Sequence, residues 1–116
     1  MSEPQWPQAG GPFEMVERRS GDATIVALSG ELDFGTADAV QARLAELRDA
    51  GVPTVLDLDA LSFMDSTGIR LVLTACEDAE RGSWSFRVTR GSERVQRVLA
   101  AAKVIDRLPY DGPASA

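Results

Sequence analysis

Two short apolar runs decide most of what this chain can become. Residues 23–28 (ATIVAL) and 54–58 (TVLDL) are rich in β-branched and aliphatic side chains, the composition of strands. Each is followed by a stretch with helical spacing. Ala37, Val40, Leu44 and Leu47 share one face of a helix expected over residues 36–50. Ile69, Val72, Leu73 and Cys76 form an apolar stripe on a second, expected over residues 66–81. Strand, helix and strand in this order call for a parallel pair joined by a right-handed crossover. The unbroken apolarity of residues 23–28 marks a strand covered on both faces.

Other elements fit around that unit. Phe13, Met15 and Val16 sketch an earlier strand, and Ser20, Gly21 and Asp22 turn it back as a hairpin. Gly51 and Pro53 stop the first helix, and Gly82 ends the second. Residues 83–89 (SWSFRVT) alternate Trp84, Phe86 and Val88 with polar side chains, as in a half-buried strand. Ser92 caps a third helix that buries Val95, Val98, Leu99 and Ala102. A last short strand over 107–110 is confined to an edge by Pro109. Residues 29–36 read as a loop, as do 59–65, where Leu61 and Phe63 serve as apolar anchors. The expected fold is α/β: one domain over residues 13–110, with flexible tails at 1–12 and 111–116. Its mixed sheet has four to five strands, opening on a hairpin, with the later strands parallel and helices packed against it.

Composition narrows the function. A chain of 116 residues suits one domain, and 44% apolar residues support a core. Histidine is absent, which excludes Ser-His-Asp and Cys-His catalysis and any histidine-ligated metal. No Gly-rich phosphate loop, Cys cluster or metal-spaced carboxylate string stands in its place. The chain therefore reads as no enzyme, with no cofactor and no metal. A net charge of -6 disfavours direct contact with nucleic acid. The charge is uneven: from residue 82 onward Arg87, Arg90, Arg94, Arg97, Lys103 and Arg107 outnumber Glu93, Asp106 and Asp111. Such a run is either a solvated helix face or part of a two-signed docking surface. Cys76 is the only cysteine, so no intramolecular disulfide forms, and its place on the helical stripe makes it a structural thiol. There is no apolar run long enough for a membrane span and no signal-peptide pattern, so the expected location is cytoplasmic.

The most informative stretch is residues 55–73, VLDLDALSFMDSTGIRLVL. A buried strand leads into a loop that ends in Asp65-Ser66-Thr67-Gly68, where the second helix begins. Helix N-termini carry unpaired N–H groups and a partial positive charge, so a phosphate there has donors at hand. Gly68 is costly in a helix interior, and its lack of bulk leaves the Ser66 and Thr67 hydroxyls accessible. Ser, Thr and Asp are also the preferred N-cap residues, so capping alone explains a DST at a helix start.

Two segments together go further. LSFMDSTG (61–68) and SGELDFGTA (29–37), in this order and on these elements, resemble the anti-sigma factor antagonists of the STAS domain family. The first resembles the family's phosphorylation loop, the second its G-E-L-D loop, and the similarity covers residues 13–108. The resemblance implies that Ser66 is the phosphorylated residue, with Thr67 second. It implies a partner-binding surface of Asp33, Phe34, Met64, Asp65, Ser66, Thr67 and Gly68, in which Phe34 and Met64 are apolar anchors or else core residues. It further implies that the unmodified form binds an anti-sigma factor that is also a serine kinase and so frees a sigma factor. Phosphorylation abolishes the complex, and a PP2C-like phosphatase resets it. The chain departs from the family near its end, where Ala101-Ala102-Lys103-Val104-Ile105 replaces a Thr-Gly-Leu type cap and the final helix looks truncated. The third helix there runs longer or ends differently. A STAS-like accessory subunit of a lipid-trafficking transport complex is the alternative, but the phosphorylatable Ser beside the GELD loop favours the first reading. A small nucleotide-binding sensor lacks its Gly-rich loop.

Overall fold

The computed structural model describes residues 12–111; the expected tails, except Pro12 and Asp111, lie outside the described residues. The strands are β1 (Glu14–Ser20), β2 (Ala23–Leu32), β3 (Thr54–Met64) and β4 (Phe86–Val88), and the helices α1 (Ala37–Asp49), α2 (Ser66–Gly82) and α3 (Glu93–Ala101). A 3-10 turn, Ile105–Arg107, follows. The sheet order is β1-β2-β3-β4. β1 and β2 form the expected antiparallel hairpin, and β2, β3 and β4 are parallel. The last expected strand is reduced to one parallel bridge between Val88 and Tyr110. Among the described residues no helix is long and apolar enough to cross a membrane.

The sheet is longer than its apolar runs. β2 continues past Leu28 to Leu32, and β3 past Leu58 to Met64, so half of the first expected loop and nearly all of the second is strand. The pairing slips twice: Ala27 faces Asp57 but Ser29 faces Ala60, and Gly30 faces Leu61 but Glu31 faces Phe63. Each slip puts one extra residue into β3, a β-bulge that reverses which face the next side chain takes. Leu58, Leu61 and Met64 are therefore all buried at a spacing of three, where simple alternation would have turned Leu61 outward. Side chains hold the first bulge: Asp57 accepts from the Asp59 amide (2.9 Å), and Thr89 accepts from the Leu58 amide (2.8 Å). Gly30 sits at φ 81°, and a Cβ there would lie 2.7 Å from the Phe13 backbone. Only glycine fits that crossing.

The helices bury what their spacing promised, with two shifts. In α1, Ala37, Val40, Leu44 and Leu47 are all buried. In α2 the buried residues are Gly68, Leu71, Val72 and Ala75, while Ile69, Leu73 and Cys76 pack at the margin. The expected stripe is rotated because α2 packs on α1 as well as on the sheet. Leu71 and Ala75 line the crevice shared with Leu44. Cys76 is half-buried, and burial pushes its thiol up to about 11, with Glu80 and Glu77 adding to the shift. Gly82 is the last residue of α2, and Ser83 takes the left-handed conformation beyond it (φ 59°). Trp84 and Phe86 stack in the core at 5.0 Å, as expected, and the Trp84 indole donates to the Val52 carbonyl (2.8 Å).

Ser92 caps α3 as expected, accepting from the Val95 amide (3.2 Å) and donating to the Leu61 carbonyl (2.7 Å). Val95 and Leu99 are buried and Val98 is half-buried, but Ala102 is exposed. The helix stops before Ala102 can turn inward. Lys103 adopts φ 63°, and the Val104 amide returns to the Leu99 carbonyl (3.0 Å). This is a left-handed helix end built without glycine, so the third helix does not run longer but ends at Ala101. A side chain in that conformation costs about 1 kcal/mol. Lys103→Gly is therefore expected to raise the unfolding free energy by about 0.5–1 kcal/mol, read as a higher urea midpoint at unchanged slope.

Candidate functional site: the carboxyl ends of β2 and β3

β2 and β3 end side by side. Leu32 pairs with Met64, and the Asp65 amide donates to the Leu32 carbonyl (3.2 Å). The two loops singled out from the sequence therefore leave the sheet together. Carboxyl ends of parallel strands are where open α/β sheets present their working residues.

The β2 loop is knit by its own side chains. Asp33 accepts from the Gly35 amide (3.0 Å), and Thr36 accepts from the Asp33 amide (3.0 Å) while donating to the Glu31 carbonyl (2.9 Å). This compact turn leaves Phe34 no cover: it is 82% exposed. Phe63, facing Glu31 across the strands, is 37% exposed. Phe34 and Phe63 are the large exposed apolar side chains of the described residues. Phe63 was expected, with Leu61, to be an apolar anchor of residues 59–65; Leu61 is buried and Phe63 is not. The second bulge turns it outward and sends Met64 in.

The β3 loop divides its labour. Asp65 is the N-cap of α2, and one carboxylate oxygen accepts from the amides of Thr67 (2.8 Å) and Gly68 (3.2 Å). Ser66 is the first helical residue and is exposed. Among the described residues its hydroxyl has no hydrogen-bond partner, so it does no capping. Thr67 is half-buried. Met64 takes the second of its two readings, the core, at 1% exposed, and Gly68 is buried, so neither offers a side chain at the surface. Of the amides expected to hold a phosphate, those of Thr67 and Gly68 are already occupied by Asp65. Gly68 also has a different reason: a Cβ there would lie 2.6 Å from Met64 Cγ and 3.1 Å from Leu32. It lets α2 start against the ends of both strands.

The STAS domain model matches residues 14–111. The chain belongs to the STAS domain family. An anti-sigma F factor antagonist from Lysinibacillus sphaericus is 35% identical over 70 residues, 59% of this chain and 57% of that protein. An anti-sigma F factor antagonist from Paenibacillus polymyxa is 32% identical over 107 residues, 90% of each chain. The crystal structure of an anti-sigma factor antagonist from Mycobacterium paratuberculosis superposes with a TM-score of 0.75 at 23% identity, covering 90% of this chain and 91% of that one. This fold is the one expected from the sequence.

Within this STAS domain, Asp33, Phe34, Asp65, Ser66 and Thr67 lie on adjoining loops, with Met64 and Gly68 beneath them. Phe63 is the residue that sequence reasoning missed. Its signal was the three-residue spacing of Leu58, Leu61 and Met64, which strict alternation cannot bury together. The division between Asp65 and Ser66 has a stability signature. Asp65→Ala is expected to lower the unfolding free energy by about 1 kcal/mol, whereas Ser66→Ala changes it by only a few tenths. Helix propensity would have Gly68→Ala stabilise by about 1 kcal/mol, but the clash is expected to make it destabilising by about 1–3 kcal/mol. Chemical denaturation of the three variants reads all of these.

Proposed function

We propose that this STAS domain is an anti-sigma factor antagonist switched by phosphorylation of Ser66. In the unmodified form it binds an anti-sigma factor that is also a serine kinase, and a sigma factor is freed. The partner phosphorylates Ser66 and the complex is lost; a PP2C-like phosphatase restores it. The names of the two relatives support the first part. The observation that carries the second is an exposed Ser66 whose hydroxyl has no hydrogen-bond partner among the described residues, relieved of capping by Asp65, on a loop that adjoins the one carrying exposed Phe34. The protein acts through protein contacts in the cytoplasm and not on nucleic acid.

The physics of the switch follows from what surrounds Ser66. A phosphate adds about -1.5 to -2 charge near neutral pH. It arrives beside the Asp65 carboxylate, which already holds the Thr67 and Gly68 amides. Asp33 and Glu31 lie at the same end of the sheet. Phe34 and Phe63 form the apolar centre of the docking surface, and Asp33, Asp65, Ser66 and Thr67 its polar edge. A bulky, hydrated dianion there opposes docking by charge and by volume, and the helix keeps its cap. Binding is lost without refolding.

Incubation with ATP and the cognate kinase is expected to label the wild type and Thr67→Ala but not Ser66→Ala. Stoichiometrically phosphorylated protein is expected to bind the anti-sigma factor at least about 100-fold more weakly, the scale of ~3 kcal/mol. Phe34→Ala, which truncates an aromatic anchor, is expected to weaken binding by roughly tenfold or more with the fold intact. Undiminished affinity of the phosphorylated protein overturns the switch, and label confined to Thr67 moves it.

A further inference from the structure

Glu14 pairs with Ser29 in the antiparallel hairpin, so the chain traced back from Glu14 runs the way β2 runs. Phe13 and Pro12 keep that course. A Cβ on Gly30 would lie 2.7 Å from the Phe13 backbone and 2.9 Å from that of Pro12, and Phe13 packs against the core. The described chain therefore begins rooted beside β2 and aimed, read backwards, at the carboxyl ends of β2 and β3. Phe63 faces Glu31, the residue after Gly30, and Phe34 lies just past the end of β2. They are the large exposed apolar side chains of the described residues.

Residues 1–11, MSEPQWPQAGG, carry one aromatic side chain, Trp6. The six residues back from Pro12 to Trp6 reach at most about 20 Å. Crossing from the line of β1 to that of β3 takes about 10 Å, and the stretch from Gly30 to Phe34 spans at most about 14 Å. Both phenylalanines are within reach. The local sequence suits the task. Pro4 and Pro7 bracket Trp6, and the residue before a proline is held extended, so less freedom is left to lose on docking. Gly10 and Gly11 supply a joint next to the root at Pro12. Indole against phenyl is a favourable pairing, and the tether presents it at an effective concentration in the millimolar range. We infer that residues 1–11 are an arm that lays Trp6 on Phe34 and Phe63 and shields this end of the sheet.

The hold is light. Residues 1–11 contain one acid, Glu3, and no lysine or arginine, so the arm gives Glu31, Asp33 and Asp65 no cation. A protein that offers only an apolar patch has to displace Trp6 for nothing more than Trp6 already supplies. One that adds a basic rim gains the carboxylates as it does so. The arm thereby screens partners by charge at an otherwise open aromatic surface. It lowers apparent affinity in proportion to the fraction of molecules left uncovered. Its effect on an anti-sigma factor rests on the function proposed above; the docking of Trp6 does not.

The full chain labelled with 5-fluorotryptophan tests the arm by fluorine NMR. Trp6→Phe assigns the Trp6 resonance, and buried Trp84 reports whether each variant keeps its fold. The Trp6 resonance is expected to differ from that of a labelled peptide of residues 1–11, and to move less between H2O and D2O, as an indole withdrawn from water does. Phe34→Ala, with the Trp84 resonance in place, is expected to return Trp6 toward the peptide values. Peptide values in the wild type, or a shifted resonance that neither Phe34→Ala nor Phe63→Ala disturbs, overturn the inference. Trp6→Ala is expected to bind the anti-sigma factor about three- to tenfold more tightly than wild type, and equal affinity overturns the shielding. Were neither protein to bind, the function proposed above would fall while the fluorine shifts still decided the arm.

Discussion

The parallel pairing of β2 with β3, carried through two bulges to Leu32 and Met64, is the constraint on which the rest depends. It makes two loops, far apart in sequence, leave the sheet at one place. It also decides what lies under them. Each bulge reverses the face of β3, so Leu61 and Met64 enter the core and Phe63 leaves it. Without the second bulge Met64 would take the outward place, and the floor beneath Gly68 would be gone. Gly68 and Met64 are then a matched pair: a missing side chain on α2 and a buried one on β3.

The start of α2 joins a structural task to a chemical opportunity without placing both on one residue. Asp65 serves the helix, bonding the second and third amides of its first turn. Ser66 is exposed, and its hydroxyl makes no hydrogen bond among the described residues. A residue that caps is held by its bonds and resists modification; a residue beside the cap is positioned and free. On the proposed function this arrangement allows a covalent change to alter the surface while the fold keeps its stability.

Much of this was legible in the sequence where local pattern and tertiary role coincide. The hairpin, the parallel strands, and the α1 face of Ala37, Val40, Leu44 and Leu47 follow from period and composition. The adjoining of residues 29–36 and 65–68 was legible only through family resemblance, since no local rule brings them together. The misses have separate causes. Bulges break the period of two without leaving a polar residue where one is expected, so Phe63 looked buried and β3 looked short. The α2 stripe was misplaced because a helix with two neighbours buries a wider arc than one with a single neighbour. Ala102 was drawn into a helix face because Lys103 gives no sign, by residue type, that it will take the left-handed conformation. In the first two cases the deciding interaction lies across the fold; in the third it is a local backbone conformation.

The charge layout follows the same division. The ion pairs of Arg43 with Glu17 and Glu46, Arg48 with Asp49 and Asp78, and Arg81 with Asp78 all involve α1, α2 and β1. Exposed pairs of this kind add little stability. Their effect is on where charge is left over. The carboxylates of Glu31, Asp33 and Asp65 at the carboxyl ends of β2 and β3 have no ion-pair partner among the described residues. On the proposed function, that end attracts a basic rim around an apolar pocket, and a phosphate on Ser66 adds charge of the sign already present. Charge and volume then act together: a partner face matched to the unmodified carboxylates leaves the added dianion unmatched, and the hydrated bulk of the phosphate keeps the apolar surfaces apart.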